Sequence, residues 1–175
     1  MNYKKTSIVA VAALLVIWTG FIMFMSSQTA ENSGHMSRAV TKHLMGIAEK
    51  LGVVSEGWEH TGSAVNRFDN FIRSLAHITM YFLLASIFSI TLWLCGVKDR
   101  KWMTIVSVVC FCICIFDETN QMYYSGRNNS GLVSAAIEDV LKDALGICCA
   151  IILCKIFNKH FMARKKAKII KKHSI

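Results

Sequence analysis

The 175-residue chain lacks the short motifs by which several common enzyme classes are recognised. No H-E-x-x-H, G-x-S-x-G or P-loop pattern occurs, so the sequence predicts neither a zinc protease of that type, an α/β hydrolase nor a P-loop nucleotide hydrolase. It also lacks an internal repeat, which disfavours a transporter built from two related halves unless chains oligomerise. These absences leave a small protein without a recognisable catalytic motif.

Cysteines are missing from the segment between residues 26 and 73, so a disulfide framework is not expected there. The seven cysteines lie in or near apolar stretches: Cys95, Cys110, Cys112, Cys114, Cys148, Cys149 and Cys154. The three at residues 110 to 114 recur at a spacing of two, which on a helix does not form one metal-binding face. We interpret them as small packing residues.

What the chain has in abundance is apolar sequence, at 54% hydrophobic residues and a mean hydropathy of +0.42. Residues 7–25 carry no formal charge and, at about 1.5 Å per residue, are long enough to cross a bilayer. Further apolar runs, the shorter ones extended by polar turns, are predicted to cross as well. The predicted fold is therefore an all-α, integral membrane four-helix bundle forming a single domain. Its predicted spans are 7–25, 74–97, 102–121 and 139–157.

The first span has one alternative interpretation, as the apolar region of a cleaved signal peptide. Lys4 and Lys5 precede it, and the small residues Ser26 and Ser27 follow it. The length of the stretch and the absence of an A-x-A cleavage pattern favour a membrane anchor.

Basic residues predict the orientation of the chain. They cluster before the first span, between the second and third, and after the fourth, at Lys4, Lys5, Lys98, Arg100, Lys101 and in the basic tail 158–175. By the positive-inside rule, both termini are therefore cytoplasmic. The tail could attract anionic lipids, and the net charge of +9 is read as a topological signal that predicts no nucleic-acid partner.

This orientation makes the loop between the first two spans extracytoplasmic. Within it, apolar residues recur at helical spacing and stop at Gly52, which predicts a helix. The stripe consists of Met36, Val40, Leu44, Ile47 and Leu51. It could lie on the outer leaflet or pack over the outer ends of the bundle, and periodicity does not choose between the two.

Polar residues from all four predicted spans fall at one level, near the outer boundary. They are Ser26, Ser27, Gln28, Arg73, His77, Tyr81, Asp117, Glu118, Gln121, Asp139 and Asp143. A charge at the bilayer midplane costs on the order of 3 kcal/mol, so opposite charges should converge. The alternative is a structural clasp, meaning a set of hydrogen bonds and ion pairs that only fixes the helices against one another. Polar contacts between membrane helices contribute only about 0.6 kcal/mol each, which favours a functional site.

Four segments in this order resemble the VanZ-like family of small bacterial membrane proteins. They are "FMSSQTAENSGHMS" from Phe24, "RSLAHITMYFLL" from Arg73, "FDETNQMYYSGR" from Phe116, and "EDVLKDALG", which fits D-x-x-x-D-x-x-G at Asp139, Asp143 and Gly146. Two departures occur: Ser125 stands where the family usually has proline, in a chain with no proline, and the interval from Arg127 to Asp139 is longer.

The resemblance implies a multi-pass bacterial cell-membrane protein. The family's namesake is associated with reduced susceptibility to teicoplanin, a glycopeptide that carries an acyl chain. By this resemblance and the polar level, the expected ligand-binding residues are Gln28, Arg73, His77, Tyr81, Asp117, Glu118, Gln121, Arg127, Asp139 and Asp143. The leading hypothesis is an accessory role in the cell envelope, in which this site binds a lipid-linked precursor or the lipoglycopeptide itself.

The alternative is a membrane enzyme acting on a lipid-linked headgroup by phosphoryl or acyl chemistry. Arg73 and Arg127 could hold a phosphate or carboxylate, and His77 could act as general acid or base. Asp117 and Glu118 could orient that histidine or bind a divalent metal, although the spacing assigns no metal site or cofactor. Ser27 is the one plausible nucleophilic hydroxyl, and the oligomeric state is left open.

Overall fold

The computed structural model describes residues 3–28, 30–53, 62–97, 101–124 and 132–173, and this part of the chain is helical without strands. Its helices are α1 (Tyr3–Ser26), α2 (Ala30–Lys50), α3 (Gly62–Leu94), α4 (Lys101–Tyr124) and α5 (Leu132–His173). The all-α prediction is therefore confirmed. Helix α5 also continues as a helix through most of the segment that was predicted as a basic tail.

Helix α3 is the centre of the fold, because it contacts each of the other four helices and packs most extensively against α5. Buried residues recur at three- and four-residue spacing along α3, α4 and α5, as expected for helices that bury one stripe each. The buried core comprises Ile22, Tyr81, Leu84, Ala85, Trp102, Val106, Cys110, Cys114, Ile147, Ala150 and Ile151. Cys110 and Cys114 are thus packing residues, whereas Cys112, between them, is exposed.

The tightest helix contact is between α3 and α5 at Gly146. A Cβ atom added there would lie 3.0 Å from the Phe82 backbone nitrogen and still closer to the Ile78 carbonyl oxygen. Small residues permit such close backbone approach between membrane helices. On the other side of α3, the Trp18 indole donates a 3.0 Å hydrogen bond to the Met80 carbonyl oxygen, which fixes α1 against α3.

Three helices are long and apolar enough to cross a membrane: Lys5–Ser26, Val65–Leu94 and Lys101–Tyr123. Helix α5 does not meet this measure in the described part of the chain, because charges flank its apolar stretch closely. Residues 144–154, between Asp143 and Lys155, cover only about 16 Å at 1.5 Å per residue. The predicted fourth span therefore stays a prediction.

Glycines in the left-handed conformation end α2 and α3 in the same way. Gly52 has φ of 70° and Gly96 has φ of 86°. In each case the residue after the glycine donates its N–H to a carbonyl five residues earlier, as Val53 does to Ala48 and Val97 does to Leu92. This is the Schellman arrangement, which needs a residue that tolerates positive φ.

Helix α2 packs against α3 through a face other than its apolar stripe. Thr41 and Met45 are buried, and the Thr41 hydroxyl donates a 3.0 Å hydrogen bond to Asp69 Oδ1. By contrast, the apolar stripe from Met36 to Leu51 is exposed along its whole length. Where this stripe lies relative to a membrane stays a prediction.

We expect Gly146→Ala to destabilise the protein, because the added methyl group meets backbone atoms that cannot move aside without separating α3 from α5. Overpacking of this kind costs roughly 1 to 3 kcal/mol. The measurement is the unfolding midpoint of the purified protein in detergent. Gly20→Ala is the matched control, since a Cβ atom at that position meets nothing within 4 Å. Equal midpoints for the two variants would contradict the close α3–α5 contact.

Candidate functional site

Four helices contribute side chains to one connected polar cluster inside the bundle. Ser26 comes from the end of α1, Tyr81 from the middle of α3, Asp117 from the end of α4 and Asp143 from the first half of α5. All four are buried. Some of the polar side chains expected at one level are thus buried together where these helices meet.

Asp117 is the centre of the first half of this cluster. The Tyr81 hydroxyl donates a 2.9 Å hydrogen bond to Asp117 Oδ2, and the Ser26 hydroxyl donates a 3.1 Å bond to the Asp117 backbone oxygen. Asn120 Nδ2 donates in turn to the Ser26 hydroxyl at 3.0 Å. Asp117 is only 1% exposed, yet its Oδ1 atom has no hydrogen-bond partner in the part of the chain that the structure describes.

The second half is built around Asp143, which has no exposed surface. His77 Nδ1 lies 3.1 Å from Asp143 Oδ1, so the α3 histidine and the α5 carboxylate face each other. The Cys114 thiol donates to Asp143 Oδ2 at 3.4 Å. Both oxygens of Asp143 therefore have partners, which keeps the carboxylate in one orientation.

Glu118 lies between the two halves. It is 5% exposed, and its Oε1 atom has no hydrogen-bond partner among the described residues. Electrostatic interactions connect it with His77, Asp139, Asp143 and Asp117. Adjacent residues of a helix point about 100° apart, so Asp117 and Glu118 reach different neighbours.

The described side chains of the cluster include three acids and one histidine. Lys142, which directly precedes Asp143 in the sequence, forms ion pairs with Glu138 at 2.9 Å and with Asp139 at 2.8 Å. No ion pair joins Arg73 to the buried carboxylates in the part of the chain that is described. His77 thus meets a carboxylate, whereas Arg73 forms no ion pair with one among the described residues, and the convergence of opposite charges stays a prediction.

Several of the predicted ligand-binding residues lie apart from these contacts. Gln28 donates back to the Phe24 carbonyl oxygen of its own helix at 3.3 Å. Gln121 is half-buried and has no hydrogen bond to the cluster among described residues. Arg127 lies outside the described residues. Asp139 has no hydrogen bond to the cluster among the described residues, although its carboxylate lies within 4.8 Å of ligand atoms of Glu118 and His77.

Three cluster members were not assigned to the site from the sequence: Ser26, Cys114 and Asn120. Ser27, the serine that was favoured as a nucleophile, is exposed and bonds to the Phe24 carbonyl oxygen at 2.8 Å. Ser26 is the buried one. Helical spacing was a usable signal for the others, since Cys114 and Asn120 each lie three residues from Asp117 and share its side of α4.

Two overlapping sets of side chains have ligand atoms within 4.8 Å of one another. One is His77, Glu118 and Asp139; the other is Asp117, Glu118 and Asp143. Glu118 belongs to both sets. A histidine nitrogen and several carboxylate oxygens at this separation are donors of the kind that divalent cations accept.

These features define an all-α membrane protein with a buried, acidic polar cluster. A comparison with protein families matches residues 11–158 to VanZ/LLP1. The chain therefore belongs to the VanZ/LLP1 family, as its motifs indicated. No curated protein and no solved structure matches it.

We expect the hydroxyl of Tyr81 to stabilise the fold through Asp117. Tyr81→Phe removes the donor and leaves a buried carboxylate oxygen without a partner, which costs about 1 to 3 kcal/mol. In the background Asp117→Asn the same change should cost less, because the carboxylate charge is already gone. A double-mutant cycle on detergent-solubilised protein measures this coupling. Strictly additive effects would show that the 2.9 Å bond contributes nothing.

Proposed function

We propose that the chain is a multi-pass protein of the bacterial cell membrane with four spans and both termini in the cytoplasm. Three apolar helices and the distribution of basic residues support this topology. The fourth span would be α5, whose apolar stretch lies against α3 and α4. Packing against neighbours lets a helix with a short apolar stretch cross the membrane, since its polar turns face protein.

We infer further that the polar cluster binds the headgroup of a membrane-embedded ligand at the outer face. The ligand would be a lipid-linked precursor of the cell envelope or an acyl-bearing glycopeptide such as teicoplanin. The observation that carries this proposal is the convergence of three buried carboxylates with His77 at one level of the bundle. A ligand entering from the bilayer would meet that level with its polar end.

A site explains this cluster better than a structural clasp does. A clasp stabilises by pairing its polar groups, and a buried polar atom without a partner is a cost. Here Asp117 Oδ1 and Glu118 Oε1 are buried without partners among the residues that the structure describes. Carboxylates that lower the stability of the fold in this way are typical of positions retained for binding or catalysis.

The His77–Asp143 pair favours a membrane enzyme as the second candidate. A carboxylate that holds a histidine nitrogen at 3.1 Å orients the ring and supports proton transfer at its other nitrogen. An enzyme would change the lipid composition of cells that produce it, whereas a binder would leave it unchanged. Mass spectrometry of membrane lipids separates the two.

We expect both chain termini to lie on the same side of the membrane, because four spans are an even number. Green fluorescent protein fused to either terminus should fluoresce, as it does in the cytoplasm. Alkaline phosphatase fused after Val53 should be active, since this enzyme needs export. Termini on opposite sides would leave three spans and contradict the crossing of α5.

Production of the protein in a susceptible Gram-positive host should raise tolerance to teicoplanin more than to vancomycin, if the headgroup site acts on an acyl-bearing glycopeptide. His77→Gln, Asp117→Asn and Glu118→Gln should abolish the increase, because each alters the charge or hydrogen bonding of the cluster. The measurement is the inhibitory concentration of each drug, with membrane abundance determined alongside.

Glu138→Gln is the matched control for these variants. It removes one acidic charge from α5, but its side chain is exposed and pairs only with Lys142 at the surface. It should retain full tolerance. Loss of tolerance in equally abundant cluster variants supports a working site, whereas loss of abundance supports the structural clasp. An unchanged host contradicts the resistance role.

A further inference from the structure

We propose that Asp117, Glu118 and Asp143 form a binding site for one hard divalent cation of the Mg²⁺, Mn²⁺ and Ca²⁺ class. Asp117 and Glu118 come from α4 and Asp143 from α5. In the structure their carboxylate oxygens lie within 4.8 Å of one another, and all three side chains are buried.

Two carboxylate oxygens without hydrogen-bond partners among the described residues indicate that this cluster lacks a ligand. Within the described ranges, Asp117 Oδ1 and Glu118 Oε1 have no hydrogen-bond donor, although Asp117 is 1% and Glu118 5% exposed. A buried carboxylate that stays ionised needs a donor or a cation to offset its lost hydration. Among the described residues, Lys142 is paired elsewhere and Arg73 makes no ion pair with the cluster, so neither supplies one.

The donor atoms select the class of cation. Three carboxylates offer oxygen ligands only, which suit Mg²⁺, Mn²⁺ and Ca²⁺ better than the softer metals that prefer sulfur and nitrogen. His77 holds Asp143 through the 3.1 Å contact, and the Cys114 thiol holds the other oxygen of Asp143 at 3.4 Å. Such outer contacts keep a metal-binding carboxylate in a fixed orientation.

A bound cation would also explain how an acidic cluster accepts a lipid headgroup. Alone, three carboxylates repel a phosphate. A divalent cation held by three protein oxygens keeps coordination positions that phosphate oxygens can occupy, as in many Mg²⁺ sites. We therefore assign the headgroup to the phosphate class. This assignment rests on the proposed headgroup function, whereas cation binding itself does not.

The first experiment is a titration of the purified, metal-free full chain in detergent with Mn²⁺, followed by electron paramagnetic resonance of the free ion. Wild-type protein should bind one Mn²⁺ per chain, and Mg²⁺ or Ca²⁺ should compete. Glu118→Gln and Asp143→Asn should weaken binding by about tenfold or more, in line with the loss of metal-site residues elsewhere. The surface control Glu138→Gln should bind as wild type does.

Thermal unfolding of the same samples distinguishes a variant that no longer binds the cation from a variant whose fold is destabilised. Glu118 makes no hydrogen bond through its buried Oε1, so Glu118→Gln should leave the metal-free midpoint equal to or above that of wild type. Mn²⁺ should raise the midpoint of wild type and not that of this variant. Absent saturable binding, or binding that Glu118→Gln and Asp143→Asn leave unchanged, would overturn the metal site.

The phosphate assignment is tested on the bound Mn²⁺ by its coupling to ³¹P nuclei. Protein in nanodiscs of phosphatidylcholine with phosphatidic acid should show this coupling, which identifies a lipid phosphate. Coupling only after addition of inorganic phosphate would identify the free anion as the ligand. No coupling in either sample would overturn the phosphate class. Cation binding without any drug phenotype would retain the metal site and refute only the proposed resistance function.

Discussion

The close approach of α3 and α5 at Gly146 is the constraint on which the site depends. Gly146 lies three residues after Asp143, on the same side of α5, and the carbonyl oxygen that it approaches belongs to Ile78, next to His77. The contact that brings two backbones together therefore also brings the histidine and the aspartate to 3.1 Å. A larger side chain at this glycine would separate the helices and, with them, the two halves of the pair.

The remaining helices complete the cluster around that contact. Helix α4 adds two adjacent carboxylates, of which Asp117 is held by Tyr81 from α3, while α1 contributes Ser26. The apolar core lies on one side of this level, where Cys110, Cys114 and their neighbours pack. The polar groups are therefore confined to one layer of the bundle. Fixed helices thus hold charged groups at positions that their own repulsion would disfavour.

Sequence reasoning identified the helices, the family and the level of the cluster, because apolar length and helical spacing depend on local order. It did not give the rotation of each helix about its axis. Ser26 and Ser27 are neighbours, and only packing decides which is buried. The apolar stripe of α2 shows the same limit, since Thr41 and Met45, between the stripe residues, are the ones that pack against the bundle. Arg73 shares a stripe with His77, yet the spacing does not disclose that no carboxylate pairs with it.

The unequal satisfaction of the three buried carboxylates connects the fold to its function. Among the described residues, Asp143 has partners on both oxygens and Asp117 on one, while Glu118 Oε1 has none. If the acids served only to join helices, the least satisfied of them would be the most easily replaced by an apolar residue, because a buried ion that lacks a partner lowers stability. Glu118 is instead the residue shared by both sets of convergent ligand atoms. Glu118, whose buried Oε1 has no partner among the described residues, is thus also well placed to contact something that enters the bundle.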